Sequence, residues 1–323
     1  MLRRGLGIDI GTTQISIYAA EGGLLLKEPN VAALDVDTDQ VVEVGKLALQ
    51  LVKTNPDRVR LCWPVWDPVV KCADILSAIL RTFLRRALGR TLLRPEVMVS
   101  IPCDLTEAQT NAVEDAVLAA GAARVHLLEA PLCAALGVGF DFSKPHGQML
   151  IHMGASRTEI AVIFLGDMVT HVTAPVGGNR FDSAIIHYLR SKHQLYVGQR
   201  TAEQIKKRIA VIADHNDAIT IEVKGRCMQT RKPRIITLSS REMLGALKEP
   251  LAAVLDAAVS VIEQSGDEMK ADIAKGGIVL SGGGVLSRLD QFLADVMGIR
   301  TRVAPNADIA AAEGAAKALS RIH

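Results

Sequence analysis

Hydrophobic and polar positions alternate along this chain in short runs that predict strands separated by amphipathic helices. Residues 5–10 and 14–20 are two apolar runs joined by a Gly-Thr-Thr turn, which is typical of a β-hairpin. Residues 74–88 carry apolar side chains at helical spacing. Thr106 and Gln109 form a capping-box pattern that predicts the start of a second helix.

The N-terminal hairpin pattern occurs a second time near the middle of the chain. Residues 148–153 and 159–164 predict two strands on either side of a Gly-Ala-Ser-Arg-Thr turn. A buried strand at 277–281 then leads into three glycines and another helix. Other predicted elements are helices at 180–193, 201–213 and 240–264 and a β-rich stretch at 217–238. Two related halves of alternating strands and helices predict a duplicated α/β architecture.

Composition excludes some classes of protein. Mean hydropathy is high at +0.23, but every apolar run is broken before the length that a membrane span needs. A net charge of +2 and an aromatic content of 3% argue against nucleic-acid binding. The cysteines show no CxxC spacing, so we expect small buried hydrophobes in a reducing cytoplasm rather than a zinc site or disulfides. They are Cys62, Cys72, Cys103, Cys133 and Cys227.

The first hairpin turn has the residue types that phosphate binding needs. Gly11 lets the backbone approach an oxygen, and Thr12 and Thr13 offer hydroxyl donors. Asp9, at the end of the strand, can hold a hydrated metal ion beside the phosphates. An ordinary hairpin turn is the alternative.

The glycine run after the predicted strand at 277–281 is a second candidate. Gly282, Gly283 and Gly284 permit close approach of a flat ligand or a phosphate, near the N-terminus of the helix predicted to follow. A flexible loop without a ligand is the alternative.

Several segments, in this order, resemble the MreB-like family of bacterial actin homologues, within the actin, Hsp70 and sugar-kinase superfamily. The resemblance covers nearly the whole chain, and several segments in order are far more specific than any one alone. The segments are GIDIGTT (7–13), KEPNVAAL (27–34), EAPLCAALGVG (129–139), VGQRTAEQIKKRI (197–209), IVLSGGGVLSRLD (278–290) and AAAEGAAKAL (310–319).

The resemblance implies a duplicated actin-like (ribonuclease H-like) α/β fold with two domains around a nucleotide cleft. Domain I would span residues 1–143 plus 302–323, with a small subdomain at about 32–73. Domain II would span 144–301, with a small subdomain at about 181–236.

The implied function is a cytoskeletal protein of cell shape and wall morphogenesis that binds ATP or ADP. Its expected partners are further copies of itself in a head-to-tail filament, the inner membrane surface, and another MreB-type protein or the wall-synthesis machinery. The expected location is the cytoplasm, peripheral on the inner face of the membrane, with no nucleic-acid partner.

The resemblance also implies roles for particular residues. Asp9 would hold Mg²⁺ through water, and Leu92 and Leu93 would form an apolar tip that enters the membrane, flanked by arginines. The nucleotide-binding positions that it implies are Asp9, Gly11, Thr12, Thr13, Gly154, Arg157, Glu203, Lys206, Lys207, Gly282, Gly283 and Gly284.

Two positions depart from the family pattern where it has carboxylates. The second phosphate loop of the family reads D-I-G-G-G-T-T, and here His152 replaces its Asp. The hinge E-E-P has become Glu129-Ala130-Pro131, and a methyl group cannot orient the attacking water. We therefore expect a weak or inactive ATPase. The alternatives are an active ATPase with compensating groups, such as Glu129, a pseudo-actin that binds no nucleotide, and a sugar-kinase or Hsp70-type monomer.

Two further expectations concern side-chain environments. A partly protonated His152, with Arg157 nearby, predicts nucleotide binding that depends weakly on Mg²⁺ and tightens as pH falls from about 8 to 6. Trp63 and Trp66 are expected to pack in the core, with a partner-facing patch as the alternative.

Overall fold

The structure, a computed structural model, describes residues 5–66, 69–89, 94–209 and 219–322. The chain divides into two compact units, one formed by Met1–Ser143 with Pro305–His323 and the other by Lys144–Ala304. Within the described residues, each unit is built around a five-stranded mixed sheet. The mixed α/β architecture in two sheet-containing units confirms the fold class that the sequence predicts.

The elements are numbered in chain order. The strands are β1 (Gly5–Ile10), β2 (Gln14–Ala19), β3 (Gly23–Pro29), β4 (Ala32–Asp35), β5 (Val41–Val44), β6 (Val59–Cys62), β7 (Val65–Trp66), β8 (Val69–Val70), β9 (Glu96–Ile101), β10 (Arg124–Glu129), β11 (Gln148–Met153), β12 (Thr158–Phe164), β13 (Asp167–Ala174), β14 (Leu195–Tyr196), β15 (Thr220–Cys227), β16 (Pro233–Ser239), β17 (Ile278–Ser281) and β18 (Thr301–Val303). The helices are α1 (Lys46–Thr54), α2 (Ala73–Leu88), α3 (Glu107–Ala120), α4 (Ala130–Gly137), α5 (Gly178–His193), α6 (Gln199–Ile209), α7 (Ser240–Gln264), α8 (Asp267–Gly276), α9 (Leu289–Met297) and α10 (Ala310–Ile322).

The main sheet of the first unit has the strand order β10-β9-β1-β2-β3. Its central strand β1 runs antiparallel to β2 and parallel to β9. On one face, Leu6 and Ile8 are fully buried in a cluster that includes Phe83 of α2. On the other face α10 lies so close that a Cβ at Gly7 would be 2.1 Å from the Ala312 carbonyl oxygen. Helices on both faces therefore fix β1 and the loop that follows it.

A smaller sheet in the first unit has the order β5-β4-β6 and packs on α1 around Ala33 and Val59. The chain then forms the short β7–β8 hairpin. Trp66 lies in β7, and Trp63 lies just before that strand. Trp63 is 39% exposed and Trp66 is 64% exposed. The expectation that these rings pack in the core is wrong, because the two-residue strands of this hairpin leave them at the surface.

The main sheet of the second unit has the order β13-β12-β11-β17-β18. Its strand β11 runs antiparallel to β12 and parallel to β17, as β1 does with β2 and β9. Met149 and Ile151 are fully buried in a cluster with Phe181 of α5 and Val254 of α7. A second small sheet, β14-β15-β16, completes this unit.

Local signals in the sequence predict several helix ends correctly. Thr106 and Gln109 form the expected capping box, and α3 ends at Gly121, whose φ of 116° is a left-handed value that glycine adopts easily. Helix α8 was not predicted, because it is largely polar. Ile273 is its one fully buried residue, so its sequence shows no repeating apolar face. The predicted helix at 201–213 is seen to Ile209, and 210–218 lie outside the described residues.

The segment after the glycine run differs from the prediction. Helix α9 begins at Leu289 with Arg288 as its N-cap, well beyond Gly284. The glycine run is therefore a loop of its own and does not lie at a helix N-terminus. In the described part of the chain, no helix has the length and apolar character needed to cross a membrane.

Candidate functional site

The first hairpin loop, residues 11–13, is held by a buried asparagine that the sequence interpretation missed. The N–H of Gly11 donates to the Gln14 carbonyl oxygen at 2.9 Å and closes the turn. The Asn30 side chain donates to the Gly11 carbonyl oxygen at 2.9 Å, and its backbone N–H donates to the Thr13 carbonyl oxygen at 3.0 Å. Since Asn30 is fully buried, it fixes the shape of the loop. In the sequence, the sign that Asn30 belongs to the site was its position in the KEPNVAAL segment.

The second hairpin loop, residues 154–156, closes in the same way. The N–H of Gly154 donates to the Arg157 carbonyl oxygen at 2.8 Å. Here the N-terminus of α5 supplies the support: Gly178 N–H donates to the Gly154 carbonyl oxygen at 3.0 Å, and Asn179 N–H donates to the Ala155 carbonyl oxygen at 2.7 Å. The free N–H groups that begin a helix are thus used to hold this loop.

The glycine loop, residues 282–284, lies directly against the second hairpin loop. A Cβ at Gly282, whose φ is +94°, would be 2.1 Å from the Met153 carbonyl oxygen. Gly284 N–H donates to that oxygen at 2.9 Å, and a Cβ at Gly284 would be 2.2 Å from the Gly154 carbonyl oxygen. Gly283 has open space around it. Two of these glycines therefore serve a close contact within the unit, and Gly283 remains accessible to a ligand.

A row of polar side chains crosses the first unit's main sheet beside its hairpin loop. The strand register aligns Asp9 with Ser16 on one side and Ser100 on the other, and aligns Ser16 with Lys27. Residues directly opposite one another share a face of the sheet. Burial raises the pKa of Asp9 to about 6, while the Ser100 hydroxyl and the positive charge of Lys27 lower it. Asp9 is therefore ionised at pH 7 and can hold a cation, but a proton competes near pH 6.

An equivalent row crosses the second unit's main sheet. The register aligns His152 with Glu159 and with Ser281, and aligns Glu159 with Thr173. The Nδ1 atom of His152 lies 3.0 Å from the Ser281 Oγ atom. Burial lowers the pKa of His152 to about 4. Burial therefore opposes the expectation that this imidazole gains charge between pH 8 and 6, because the protein interior disfavours its charged form.

Glu159 is a candidate that the sequence interpretation missed. Its side chain is on the same face as His152 and the residue is only 3% exposed. The second unit thus keeps a carboxylate one strand away from the position where the family pattern places one. The two-residue alternation along β12 was the available signal, once the register was known.

The three predicted positions on α6 lie in different environments. The Lys206 Nζ atom donates to the Gly178 carbonyl oxygen at 2.9 Å and lies 2.9 Å from the Asp182 Oδ1 atom. Burial raises the pKa of Asp182, and the Lys206 charge opposes that rise. Glu203 and Lys207 form an exposed ion pair at 2.7 Å. Lys206 is therefore tied to the start of α5, whereas the other two are at the surface.

The hinge segment begins α4. Ala130 is the first residue of this helix and is 6% exposed, and Glu129 precedes it at the end of β10. Cys133, one turn on, is fully buried. Burial, followed by the charges of Asp9 and Glu129, raises the pKa of its thiol well above the usual range. Glu129 and Asp9 therefore both lie near Cys133, at one end of the first unit's sheet.

The predicted membrane tip falls outside the described residues. Leu92 and Leu93 belong to the segment 90–93, of which the structure describes nothing. Two of the arginines before it have partners: Arg81 donates to the Ala119 carbonyl oxygen at 2.8 Å, and Arg86 donates to Glu43 Oε1 at 3.0 Å.

Comparisons with known proteins agree with the resemblance seen in the sequence. The family model for MreB/Mbl protein matches residues 3–323. Cell shape-determining protein Mbl of Bacillus subtilis (strain 168) is 34% identical over 308 residues, covering 95% of this chain and 92% of that protein. Cell shape-determining protein MreB of Escherichia coli (strain K12) is 35% identical over 329 residues, covering 100% of this chain and 95% of that protein. The crystal structure of MreB5 of Spiroplasma citri bound to ADP matches with a TM-score of 0.92 at 26% identity, covering 99% of this chain and 97% of that one.

Proposed function

This chain belongs to the MreB/Mbl family, and from that premise we propose that it is an actin-like, cell shape-determining protein that binds ATP or ADP and hydrolyses ATP slowly or not at all. The observation that carries the nucleotide proposal is the repeated loop. In each unit a glycine N–H closes the hairpin of the main sheet, at 2.9 Å for Gly11 and 2.8 Å for Gly154. Separate side chains or helix N–H groups then fix each loop. Two rigid, small-residue loops are what phosphate binding requires.

The residues of the first unit fit a hydrated divalent cation, and those of the second fit it less well. Asp9 offers a carboxylate beside its loop, and its ionised form is available at pH 7. The equivalent position in the second unit is His152, which is neutral and lies 3.0 Å from the Ser281 hydroxyl. A bound Mg²⁺ would supply charge neutralisation for the phosphates, with Asp9 as its outer-shell partner.

Slow hydrolysis follows from two uncharged side chains at positions where the family pattern has carboxylates. Ala130 is buried and apolar, so it cannot orient a water molecule. His152 is held neutral by burial. Losing one group of this kind costs about 10²–10⁴ in rate.

Titration calorimetry with ATP and Mg²⁺, followed by a phosphate-release assay on the same sample, tests both parts of this proposal. We expect clear binding heat and a turnover far below that of Escherichia coli MreB under the same conditions. Absence of binding heat would contradict the nucleotide proposal and favour a pseudo-actin, while equal turnover would contradict slow hydrolysis.

A second candidate is an active ATPase that uses a carboxylate on the strand next to His152, and Glu159 favours it. This residue shares a face with His152 and is 3% exposed. Glu159→Gln removes its charge at nearly constant volume. A large loss of phosphate release with unchanged ATP binding would support the active ATPase. Unchanged basal release would support the slow enzyme proposed above.

Filament formation and membrane association are the remaining parts of the proposal. The family resemblance supports head-to-tail self-association, a heterologous contact that gives open filaments. A short tip at Leu92 and Leu93 would anchor one subunit weakly, so many subunits in a filament would have to act together on the inner membrane surface. Negative-stain electron microscopy with and without ATP tests filament formation.

Liposome co-sedimentation tests the membrane contact. Leu92→Ser combined with Leu93→Ser should reduce pelleting with anionic vesicles. Leu24→Ser is the matched control, because Leu24 is an exposed leucine elsewhere in the same unit. Equal pelleting of the double variant and the control would contradict this membrane contact.

A further inference from the structure

The base of the β7–β8 hairpin brings two cysteines together. The strand register pairs Val65 with Val70 and Trp66 with Val69. Beyond those pairs, the N–H groups of Lys71 and Cys72 both point at the Pro64 carbonyl oxygen, at 2.8 Å and 3.4 Å. Cys62 ends β6 just before this hairpin, and Cys72 is the N-cap residue of α2 just after it. The two cysteines therefore flank the hairpin at its base.

The two thiols also influence each other. The thiol of Cys62 interacts directly with that of Cys72, which contributes with burial to a raised pKa of Cys62. Both residues are partly exposed, as Cys103 is, whereas Cys133 and Cys227 are buried, so the expectation that the cysteines are buried is wrong for three of the five. A small reagent can therefore reach this pair of thiols from solution.

We propose that Cys62 and Cys72 form a redox modification site, at which a reversible disulfide closes the segment that carries Trp63 and Trp66. The two bonds to Pro64 carry this inference, because they hold the backbone of Cys72 against the segment that follows Cys62, and the thiols of the two residues interact there. The inference does not rest on nucleotide binding or on filament formation.

The reaction needs an oxidant, and a low-molecular-weight disulfide such as oxidised glutathione fits the exposed pair. The thiolate of one cysteine attacks the glutathione disulfide, which gives a mixed disulfide and releases one glutathione thiolate. The thiolate of the other cysteine then attacks the protein sulfur of that mixed disulfide and releases the second. Two protein thiols are oxidised, one small disulfide is reduced to two thiols, and the protons of the protein thiols pass to the released thiolates.

The disulfide would change the surroundings of the two indole rings. Trp63 and Trp66 are the two tryptophans of the chain, so its tryptophan fluorescence reports on this segment alone. Lys71 stands over the Trp66 ring at 5.3 Å from the ring centre. Because a disulfide quenches a nearby indole, we expect fluorescence to fall on oxidation and to recover on reduction.

Peptide mapping tests the pairing directly. Trypsin cleaves after Arg60, Lys71 and Arg81, so Cys62 and Cys72 fall in adjacent peptides, 61–71 and 72–81. The full-length protein is equilibrated in glutathione buffers of increasing oxidised fraction, blocked with iodoacetamide and digested without reductant. We expect a linked pair of these peptides that separates on reduction. It should form at an oxidised-to-reduced ratio at least about tenfold lower in the native protein than in urea.

Matched variants complete the test. Cys62→Ser and Cys72→Ser should each remove both the linked peptides and the fluorescence change, while Cys103→Ser should retain both. The inference is overturned if the linked peptides are absent at full oxidation. It is also overturned if they form no more readily in the native protein than in urea, or if either cysteine pairs with Cys103 instead.

Discussion

Asp9 and His152 occupy the same position in two similar hairpins, and burial acts on both in the direction that disfavours charge. For the acid this raises the pKa to about 6, and for the base it lowers the pKa to about 4. At pH 7 the first unit therefore carries a negative charge at this position and the second carries none. The exchange of Asp for His in the second unit thus removes a charge rather than reversing one.

The raised pKa of Asp9 predicts a cost in stability that a neutral variant avoids. Because the pKa of Asp9 is about 6 in the folded protein, above its ordinary value of 3.8, ionised Asp9 disfavours the folded state. The free energy of unfolding of Asp9→Asn should exceed that of wild type by about 3 kcal/mol at pH values above 6, since one pKa unit corresponds to about 1.4 kcal/mol. The gap should open between pH of about 4 and 6 and stay constant above. Urea unfolding at several pH values measures it.

Ser16→Ala is the control for this comparison, because Ser16 lies in the same polar row and is 3% exposed but does not ionise. Its stability difference from wild type should not change between pH 4 and 7. A gap for Asp9→Asn that is equally large at both pH values would show that proton binding at Asp9 is not its cause. Binding of ATP with Mg²⁺ should weaken in Asp9→Asn, since the carboxylate is lost.

The lowered pKa of His152 predicts that this residue adds no pH dependence to nucleotide binding in the neutral range. With a pKa of about 4, the imidazole is uncharged throughout pH 6–8. The ratio of the ATP affinities of wild type and His152→Asn should therefore be constant over that range. Taking the ratio removes the titration of ATP itself. Calorimetric titrations at pH 6, 7 and 8 measure it, and a ratio rising more than about threefold toward pH 6 would mean that bound phosphate restores the charge.

At the scale of the elements, hairpins and caps could be predicted because their signals are local. The turn at Gly11, the turn at Gly154 and the Thr106 capping box each occupy a few consecutive residues. The support of the loops could not be predicted, because it comes from distant parts of the chain. Asn30 holds the first loop and Gly178 holds the second. The spacing of apolar residues, which predicts strands and helices, gives no information about either contact.

Contacts with distant residues also explain why the glycine run at 282–284 differs from its prediction. Three consecutive glycines predict close approach of a flat ligand or a phosphate, but the group that approaches Gly282 and Gly284 is the second hairpin of the same unit. A Cβ at Gly282 or at Gly284 would be within 2.2 Å of a carbonyl oxygen there. The identity of the group that a glycine faces depends on tertiary structure, so sequence spacing does not reveal it.

The glycine loop permits a matched pair of substitutions. Gly284→Ala places a Cβ 2.2 Å from the Gly154 carbonyl oxygen, so either the glycine loop or the hairpin loop must move. We expect a loss of about 1–3 kcal/mol in the free energy of unfolding, together with weaker ATP binding. Gly283→Ala meets no atom within 4 Å and should stay within about 0.5 kcal/mol of wild type. Urea unfolding decides this prediction, and equal losses in the two variants would contradict it.

At the scale of the whole molecule, the duplication relates the two units residue by residue. The polar row Lys27, Ser16, Asp9 and Ser100 in the first unit corresponds to Thr173, Glu159, His152 and Ser281 in the second. The sequence was sufficient to predict the duplication and the exchange of Asp for His. It could not predict the rows, because strand register is needed to place Glu159 beside His152. The second unit therefore keeps one carboxylate in its row, at Glu159 on β12, and has none at the position that corresponds to Asp9.

If hydrolysis is slow because each unit lacks one carboxylate, restoring both should raise it. Ala130→Glu supplies the hinge group in the first unit, and His152→Asp supplies an acid beside the Ser281 hydroxyl, which can donate to it. We expect the double variant to release phosphate about 10²–10⁴ times faster than wild type, and each single variant to gain less. Because Ala130 is 6% exposed, circular dichroism and ATP binding must first show that the glutamate is tolerated. Adding Asp9→Asn to the double variant is the control, since it removes the expected metal partner and should abolish the gain. A folded, ATP-binding double variant with wild-type turnover would show that these two positions do not limit hydrolysis, and the carboxylate of Glu159 would then be the group to test.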